Sequence, residues 1–80
     1  MYQVYILKSE VHNRYYVGHT NDFKNRLERH NKGYVKSTKP YKPWNLVYSE
    51  DFENKNDAYR RELKIKSYNH GEAFLKLVNS

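Results

Sequence analysis

The sequence predicts an α+β fold, a small three-stranded antiparallel sheet flanked by helices in the chain order β-β-α-β-α-α. Three observations predict it. Two short runs of β-branched and aromatic residues near the start are separated by a few polar residues, which is typical of a hairpin. A third such run comes in the second half of the chain. The segments that follow the second and third runs carry apolar residues at helical spacing.

The two runs near the start predict a pair of strands. Residues 2–8 form the first strand and residues 14–19 form the second, with polar residues between them. With residues 9–12 as the loop, the register places Tyr5 directly opposite Tyr16, on the same face of the sheet. We therefore expect two phenol rings side by side on that face.

A helix is predicted after the hairpin. Thr20 or Asn21 is suited to cap its first turn, and Gly33 is suited to end it. One face of this helix carries three residues at the spacing i, i+4 and i+7, which are Phe23, Leu27 and His30. We expect this face to pack on the sheet.

The second half of the chain predicts a loop, a strand and a helix. Residues 33–43 contain two prolines and three lysines and form the loop. Residues 44–48 form a strand that extends toward Phe52. The helix begins near residues 54–56 and runs to about Ser67.

A last helix is predicted over residues 72–78. Its expected packing face consists of Phe74, Leu75 and Val78. Because the chain shows no repeat and no linker, we expect residues 1–80 to form one domain, with a motif-bearing core at residues 2–67.

Composition and charge narrow the function. Lys and Arg number 15 against 9 Asp and Glu, which gives a net charge of +6, and 9 residues are tyrosine. Basic charge interleaved with aromatic rings suits a nucleic acid, because cations neutralise phosphates and rings stack on bases. The absence of cysteine excludes disulfides, thiolate metal sites and cysteine nucleophiles. The longest apolar run, residues 4–7, is too short for a membrane span or a signal peptide, so we expect a cytoplasmic protein.

Glu62 has the most unusual position in the chain. On a helical wheel it lies on the face that should pack on the sheet. Its neighbours on that face are four residues, Ala58, Tyr59, Leu63 and Ile65. An unpaired buried carboxylate costs several kcal/mol, so Glu62 needs a cation or donors. Two interpretations stay open, namely a buried salt bridge to Arg61 or a lysine, and a metal ligand at the floor of a cleft.

Two further pairs are candidates for chemistry. Arg26 and His30 lie four residues apart, on one flank of the first helix. The arginine could hold a phosphate and the histidine could move a proton, or the pair could simply be a solvated helix edge. Tyr5 and Tyr16 are either core packing or, beside a cation, a source of a base.

The remaining candidates are basic. Lys36, Lys39 and Lys42 give the loop a positive surface that either follows a nucleic-acid backbone or is merely solvated. The other histidines lack the spacing of zinc ligands, so a histidine-based zinc site is unsupported. The chain has no glycine-rich phosphate loop, which makes a nucleotide hydrolase an unfavourable interpretation.

In combination, these residues resemble the GIY-YIG nuclease family, in particular its small stand-alone bacterial branch. The resemblance rests on segments in the family's order and spacing. They are Gln3-Val4-Tyr5, Tyr16-Val17-Gly18, Thr20-Asn21-Asp22-Phe23, Arg26-Leu27 with His30-Asn31, Leu46-Val47-Tyr48 with Glu50, Asp57-Ala58, Arg61-Glu62 and Ile65-Lys66. It covers about residues 2–67, nearly the whole chain.

The resemblance implies metal-dependent hydrolysis of phosphodiester bonds. Tyr5 and Tyr16 match the two motif tyrosines, one of which helps to activate the attacking water. Arg26 matches the arginine that steadies the scissile phosphate, and His30 matches a position that handles a proton or contacts the phosphate. Glu62 matches the glutamate that binds one divalent metal ion, Mg²⁺ or Mn²⁺.

The chain departs from the family pattern at three places. Gln3 stands where the family name has glycine. His19 stands where several relatives carry lysine, and we expect it to contact nucleic acid together with the loop lysines. Many relatives carry an asparagine beyond the metal glutamate, where this chain has Phe74 and, nearest to it, Asn69.

The implied function is a DNA endonuclease that works in repair, recombination or defence, with RNA left open as a substrate. No membrane partner is expected, and a protein partner or a homodimer would supply targeting. Two alternatives stay open. One is a nucleic-acid-binding module on the same fold with little or no catalysis, and the other is a structural or partner-binding protein.

Overall fold

The computed structural model describes residues 1–79, and within them the elements follow the predicted order. The strands are β1 (Tyr2–Ser9), β2 (Tyr15–Thr20) and β3 (Trp44–Phe52). The helices are α1 (Phe23–Asn31), α2 (Lys55–Lys66) and α3 (Glu72–Val78), with a 3₁₀ turn at Lys39–Tyr41 in the loop before β3. The predicted α+β fold is confirmed. Ser80, the last residue of the predicted domain, lies outside the described residues.

β1 is the central strand, and it pairs antiparallel with β2 on one side and β3 on the other. Its middle residues, 4–7, are fully buried because helices cover both faces of the sheet. β2 is an edge strand. Because no strand pairs with the outer side of β2, side chains on the two faces of the sheet can approach each other around this edge.

The two faces of the sheet carry separate cores. One core, under α2 and α3, consists of six buried residues, which are Val4, Ile6, Val17, Ala58, Ile65 and Phe74. The other core, under α1 and the loop before β3, contains Tyr5, Leu7 and Trp44. The alternation of β1 and β2 predicts this division, and it is confirmed.

The predicted register of the hairpin is wrong by two residues. Tyr5 lies opposite Gly18, and Tyr16 lies opposite Leu7. The loop is longer than expected because Ser9 stays in β1, where its backbone N–H donates to the carbonyl of Arg14 at 3.0 Å. Its hydroxyl meanwhile accepts two backbone N–H groups of the turn. A shift of two residues keeps every side chain on its face, so Tyr5 and Tyr16 still share one face.

The helix ends show which local signals were decisive. The cap of α1 is Asp22, not Thr20 or Asn21, and its carboxylate accepts the N–H of Asn25 at 3.3 Å. Thr20 instead accepts the N–H of Asp22 at 3.1 Å, which prepares the cap. The cap of α2 is Asn54, which agrees with the predicted start of this helix near residues 54–56.

The packing face of α3 differs from the prediction at one position. Phe74 is fully buried and Val78 packs against the core, but Leu75 is 46% exposed. Leu77 takes its place against the core. In the described part of the chain, no helix is long and apolar enough to cross a membrane.

Candidate active site

Three of the predicted site residues meet on the α1 face of the sheet. The ring of Tyr5 lies 6.2 Å from that of Tyr16 and 6.2 Å from that of His30, between centroids. The rings of Tyr16 and His30 are 4.8 Å apart. Tyr5 and His30 are fully buried, whereas Tyr16 is partly exposed. This cluster of three rings therefore presents Tyr16 to solvent and keeps the other two behind it.

Gly18 makes room for the cluster. A Cβ atom at this position would lie 2.7 Å from the hydroxyl oxygen of Tyr5 and 2.9 Å from its Cζ. Such distances are far below van der Waals contact, and the buried ring of Tyr5 has no free space to move into. Glycine at this position of the second motif is thus required by the ring of the first.

Hydrogen bonds fix the tautomer of His30. The hydroxyl of Thr38 donates to the carbonyl of Val35 at 3.3 Å, so its own proton is used. In that arrangement it accepts from the Nδ1–H of His30, at 2.8 Å. Nε2 of His30 is left without a proton and accepts from the hydroxyl of Tyr5 at 3.4 Å. The chain of donors runs inward from Tyr5 through His30 to Thr38.

The charge states agree with this chain. Burial, and then the positive charges of Arg26 and Arg29, lower the pKa of His30 to about 4. Burial also raises the pKa of Tyr5 well above its ordinary value, with further contributions from Tyr16 and from the negative charge of Glu62. At neutral pH His30 is a neutral acceptor and Tyr5 is a neutral donor.

Glu62 lies on the α2 face, at the same edge of the sheet. It is 8% exposed, on a buried stripe with Ala58 and Ile65, as predicted. One carboxylate oxygen lies 2.6 Å from Nδ1 of His19, and the other accepts from Nζ of Lys66, also at 2.6 Å. The predicted need for a cation is confirmed, with a lysine and a histidine as the partners.

Three neighbours of Glu62 differ from expectation. Arg61 does not pair with it but with Glu50, through Nε at 3.0 Å. Tyr59 and Leu63, predicted to extend the buried face, are about half exposed. The buried stripe of α2 consists of Ala58, Glu62 and Ile65, and the other two residues lie outside it.

Arg26 and His19 line a common depression of about 210 Å³ beside β2. Arg26 also borders a second depression of about 380 Å³ at the start of α1. The partner of Glu62 and the predicted phosphate-binding arginine thus open onto one space. Glu62 also contributes to the raised pKa of Tyr5, but less than burial or Tyr16 does, and Arg26 acts in the opposite direction.

The loop lysines lie in a loop that also supports the ring cluster. Lys36, Lys39 and Lys42 are exposed. Thr38 lies between these lysines in the sequence. Its carbonyl accepts the indole N–H of Trp44 at 3.0 Å, and its hydroxyl is hydrogen-bonded to His30. The loop therefore joins an exposed positive surface to the buried histidine.

Sequence reasoning missed Thr38. A threonine in a lysine-rich loop shows no periodicity and no motif spacing, so no sequence signal identified it. Lys66 was detectable as a specific partner, because Glu62 and Lys66 are four residues apart on one helix.

A divalent cation fits the donor set at Glu62. Among residues 1–79 no three His, Cys, Asp or Glu side chains gather into a metal cluster. Mg²⁺ keeps several waters and is bound through one or two carboxylates together with substrate phosphates, so Glu62 would supply one of its ligands. Lys66 is half exposed and can leave its oxygen without being buried unpaired.

The comparison with protein families decides the relationship. The model of the GIY-YIG catalytic domain matches residues 1–71. The chain belongs to the GIY-YIG family. The family resemblance seen in the motifs is thereby confirmed, and the family is one of nucleases.

Relatives in this family have a similar length. UPF0213 proteins from Staphylococcus aureus strains Mu3 and N315 are each 42% identical over 66 residues, which covers 81% of this chain and 79% of the relative. The solution NMR structure of the UPF0213 protein BH0048 from Bacillus halodurans is similar, with a TM-score of 0.50 and 33% identity. That similarity covers 84% of this chain and 72% of the other.

Proposed function

We propose that the protein is a metal-dependent endonuclease that hydrolyses phosphodiester bonds in DNA. One observation carries the proposal. A buried carboxylate, Glu62, is bonded to His19, and His19 lines a depression together with Arg26. Membership of a nuclease family supports it.

Glu62 is the residue that would hold one divalent cation, Mg²⁺ or Mn²⁺. When bound, that cation supplies positive charge for the phosphate and for the leaving 3′ oxygen. Arg26 adds fixed positive charge from the helix that borders the same depression, and it would orient the phosphate before reaction.

The two tyrosines have different roles in this proposal. Tyr5 is buried, has a raised pKa and donates to His30, so it remains a phenol. Tyr16 is partly exposed, and in its phenolate form it would accept the proton of the attacking water. The water oxygen bonds to phosphorus as the bond to the 3′ oxygen breaks, which leaves a 5′ phosphate, and the 3′ oxygen takes a proton from solvent water. His30 would hold Tyr5 in place rather than exchange protons with solvent.

The partner is a nucleic acid on grounds of charge. The chain carries +6, and the exposed Lys36, Lys39 and Lys42 lie on one loop that leads into the site. With His19 in the depression, these groups would contact the phosphate backbone without reading sequence. We propose the whole chain as one catalytic domain that works in the cytoplasm, in repair, recombination or defence, with targeting by a protein partner or a second copy.

The test is cleavage by the wild type beside Glu62→Ala, with Glu50→Ala as the matched control. Glu50 also pairs with a basic side chain, but its partner is Arg61. The substrates are supercoiled plasmid, linear duplex, single strands, branched junctions and RNA, each with Mg²⁺, Mn²⁺ or chelator. We expect Glu62→Ala to lose about a hundredfold or more in rate while keeping its fold by circular dichroism, and Glu50→Ala to cut normally. Equal cleavage by wild type and Glu62→Ala would contradict the proposal.

One observation favours a second function. Both oxygens of Glu62 already have side-chain partners, His19 and Lys66, so the carboxylate is satisfied without a metal. A nucleic-acid-binding module with little catalysis would have this arrangement. It predicts salt-sensitive binding of the same substrates and no cleavage under any metal.

A further inference from the structure

A groove of about 420 Å³ runs beside β2, against the turn between α2 and α3. Its floor includes Ile65 and Phe74, which are fully buried. Its walls include Tyr15 on the strand and Asn69 and His70 on the turn. The groove therefore has an apolar base, aromatic sides and polar groups at its rim.

The groove shares two residues with the candidate active site. Tyr16 and Lys66 both line it. Tyr16 belongs to the ring cluster, 4.8 Å from His30, and Lys66 is bonded to Glu62 at 2.6 Å. A group held in the groove would therefore lie next to the bond that the proposed nuclease cuts.

From these features we infer that the groove binds one unpaired nucleobase of the substrate, adjacent to the scissile phosphate. The inference rests on the proposed function and names its substrate class, a nucleic acid with an unpaired nucleotide at the cut. A fully paired duplex would have to flip a base to use the groove, at the cost of unstacking it.

The aromatic side chains supply the stacking surface. The ring of His70 lies 4.6 Å from that of Phe74 and 5.6 Å from that of Tyr15. Flat bases stack on tyrosine and histidine rings whatever their sequence, which is how many proteins hold unpaired nucleotides.

Asn69 supplies a polar contact for the base edge. Its side chain is exposed, and within residues 1–79 the side-chain amide of Asn69 makes no hydrogen bond to another group. An amide carries donors and an acceptor side by side, which matches the edge of a base. Asn69 and His70 both have positive φ, 50° and 60°, and this turn places both side chains along the groove.

Part of the groove is formed by a residue that lies beyond the segment matched by the family model. The catalytic-domain model ends at residue 71, whereas Phe74 lies on α3. The groove thus combines two residues of the candidate site with a wall that the family model does not cover.

The test uses short single-stranded DNA with one 2-aminopurine, and the same strand with an abasic site at that position, bound in the presence of chelator so that nothing is cut. The proteins are wild type, Asn69→Gly and His70→Ala, with His12→Ala as the control for loss of an exposed histidine. Glycine accepts the positive φ of residue 69, so Asn69→Gly removes the amide without backbone strain.

We expect wild type and His12→Ala to quench 2-aminopurine and to bind the abasic strand about fivefold or more weakly. Asn69→Gly and His70→Ala should lose most of both effects while keeping their fold. Equal affinity for the two strands, or unchanged fluorescence, would overturn the inference.

The outcomes separate this inference from the proposed function. Metal-dependent cleavage that requires Glu62 but proceeds equally on the abasic strand would support the endonuclease function and refute base binding in the groove. Quenching and base-dependent binding without any cleavage would support the groove and refute the nuclease.

Discussion

The two faces of the sheet stabilise their buried polar groups in different ways. On the α1 face, Tyr5, His30 and Thr38 are neutral and form a chain of hydrogen bonds away from solvent. On the α2 face, Glu62 is charged and held by His19 and Lys66, both of which reach solvent. The first arrangement fixes positions, whereas the second can exchange a partner. A nuclease of the proposed kind needs both, one to orient groups and one to admit a cation.

Acid should destabilise the α1 face of the sheet, where the buried polar groups are neutral. The pKa of His30 is lowered to about 4, below its ordinary 6.5, so the unfolded chain binds the proton more readily. The stability from a neutral His30 is complete above about pH 6.5 and is lost as the pH falls toward 4. We expect a loss of up to about 3 kcal/mol in the free energy of unfolding across that window.

Urea denaturation at pH 7 and at pH 4.5 measures this loss, with His30→Gln as the control. All other ionisable groups are the same in the two proteins, so the difference between their pH dependences isolates His30. An identical pH dependence in the two proteins would contradict the assignment.

Removing the hydroxyl of Thr38 should loosen the same face more mildly. In Thr38→Val the Nδ1–H of His30 loses its acceptor inside the protein, which costs about 1–3 kcal/mol. The freed imidazole should then populate both tautomers, visible in ¹⁵N NMR of the ring, and cleavage should slow. Thr38→Ser keeps the hydroxyl and should restore both the tautomer and the rate. A ring spectrum unchanged in Thr38→Val would show that Thr38 does not set the tautomer.

The sequence predicted most of the frame and part of the site, and particular residues explain the difference. Helical spacing placed Glu62 on a buried stripe and His30 on the packing face of α1, because both signals are periodic. The predicted register of the hairpin was wrong because the side chain of Ser9 accepts hydrogen bonds from the turn and lengthens it. The alternation of apolar and polar residues along the strands gives no sign of such a bond. Thr38 was missed because its role depends on where a loop folds back, beyond local pattern.

On the charged face, changing Lys66 should have the smallest effect. Lys66→Met removes one half-exposed partner of Glu62, so stability should change by less than about 1 kcal/mol. The Mg²⁺ concentration for half-maximal cleavage should fall about two- to fivefold, since the cation no longer competes with the lysine. Lys64→Met is the matched control, because Lys64 is exposed on the same helix but is not a partner of Glu62. A higher Mg²⁺ requirement in Lys66→Met would mean that the lysine assists the cation.

The central claim is that a divalent cation enters at Glu62 and acts across the edge of β2 on the ring cluster. A titration with Mn²⁺, followed by paramagnetic broadening of backbone NMR signals, tests it without any substrate. We expect the signals of His19, Glu62 and Lys66 to broaden first, those of Tyr5 and Gly18 next, and none of these in Glu62→Gln. Broadening that centres elsewhere, or that persists in Glu62→Gln, would contradict the account.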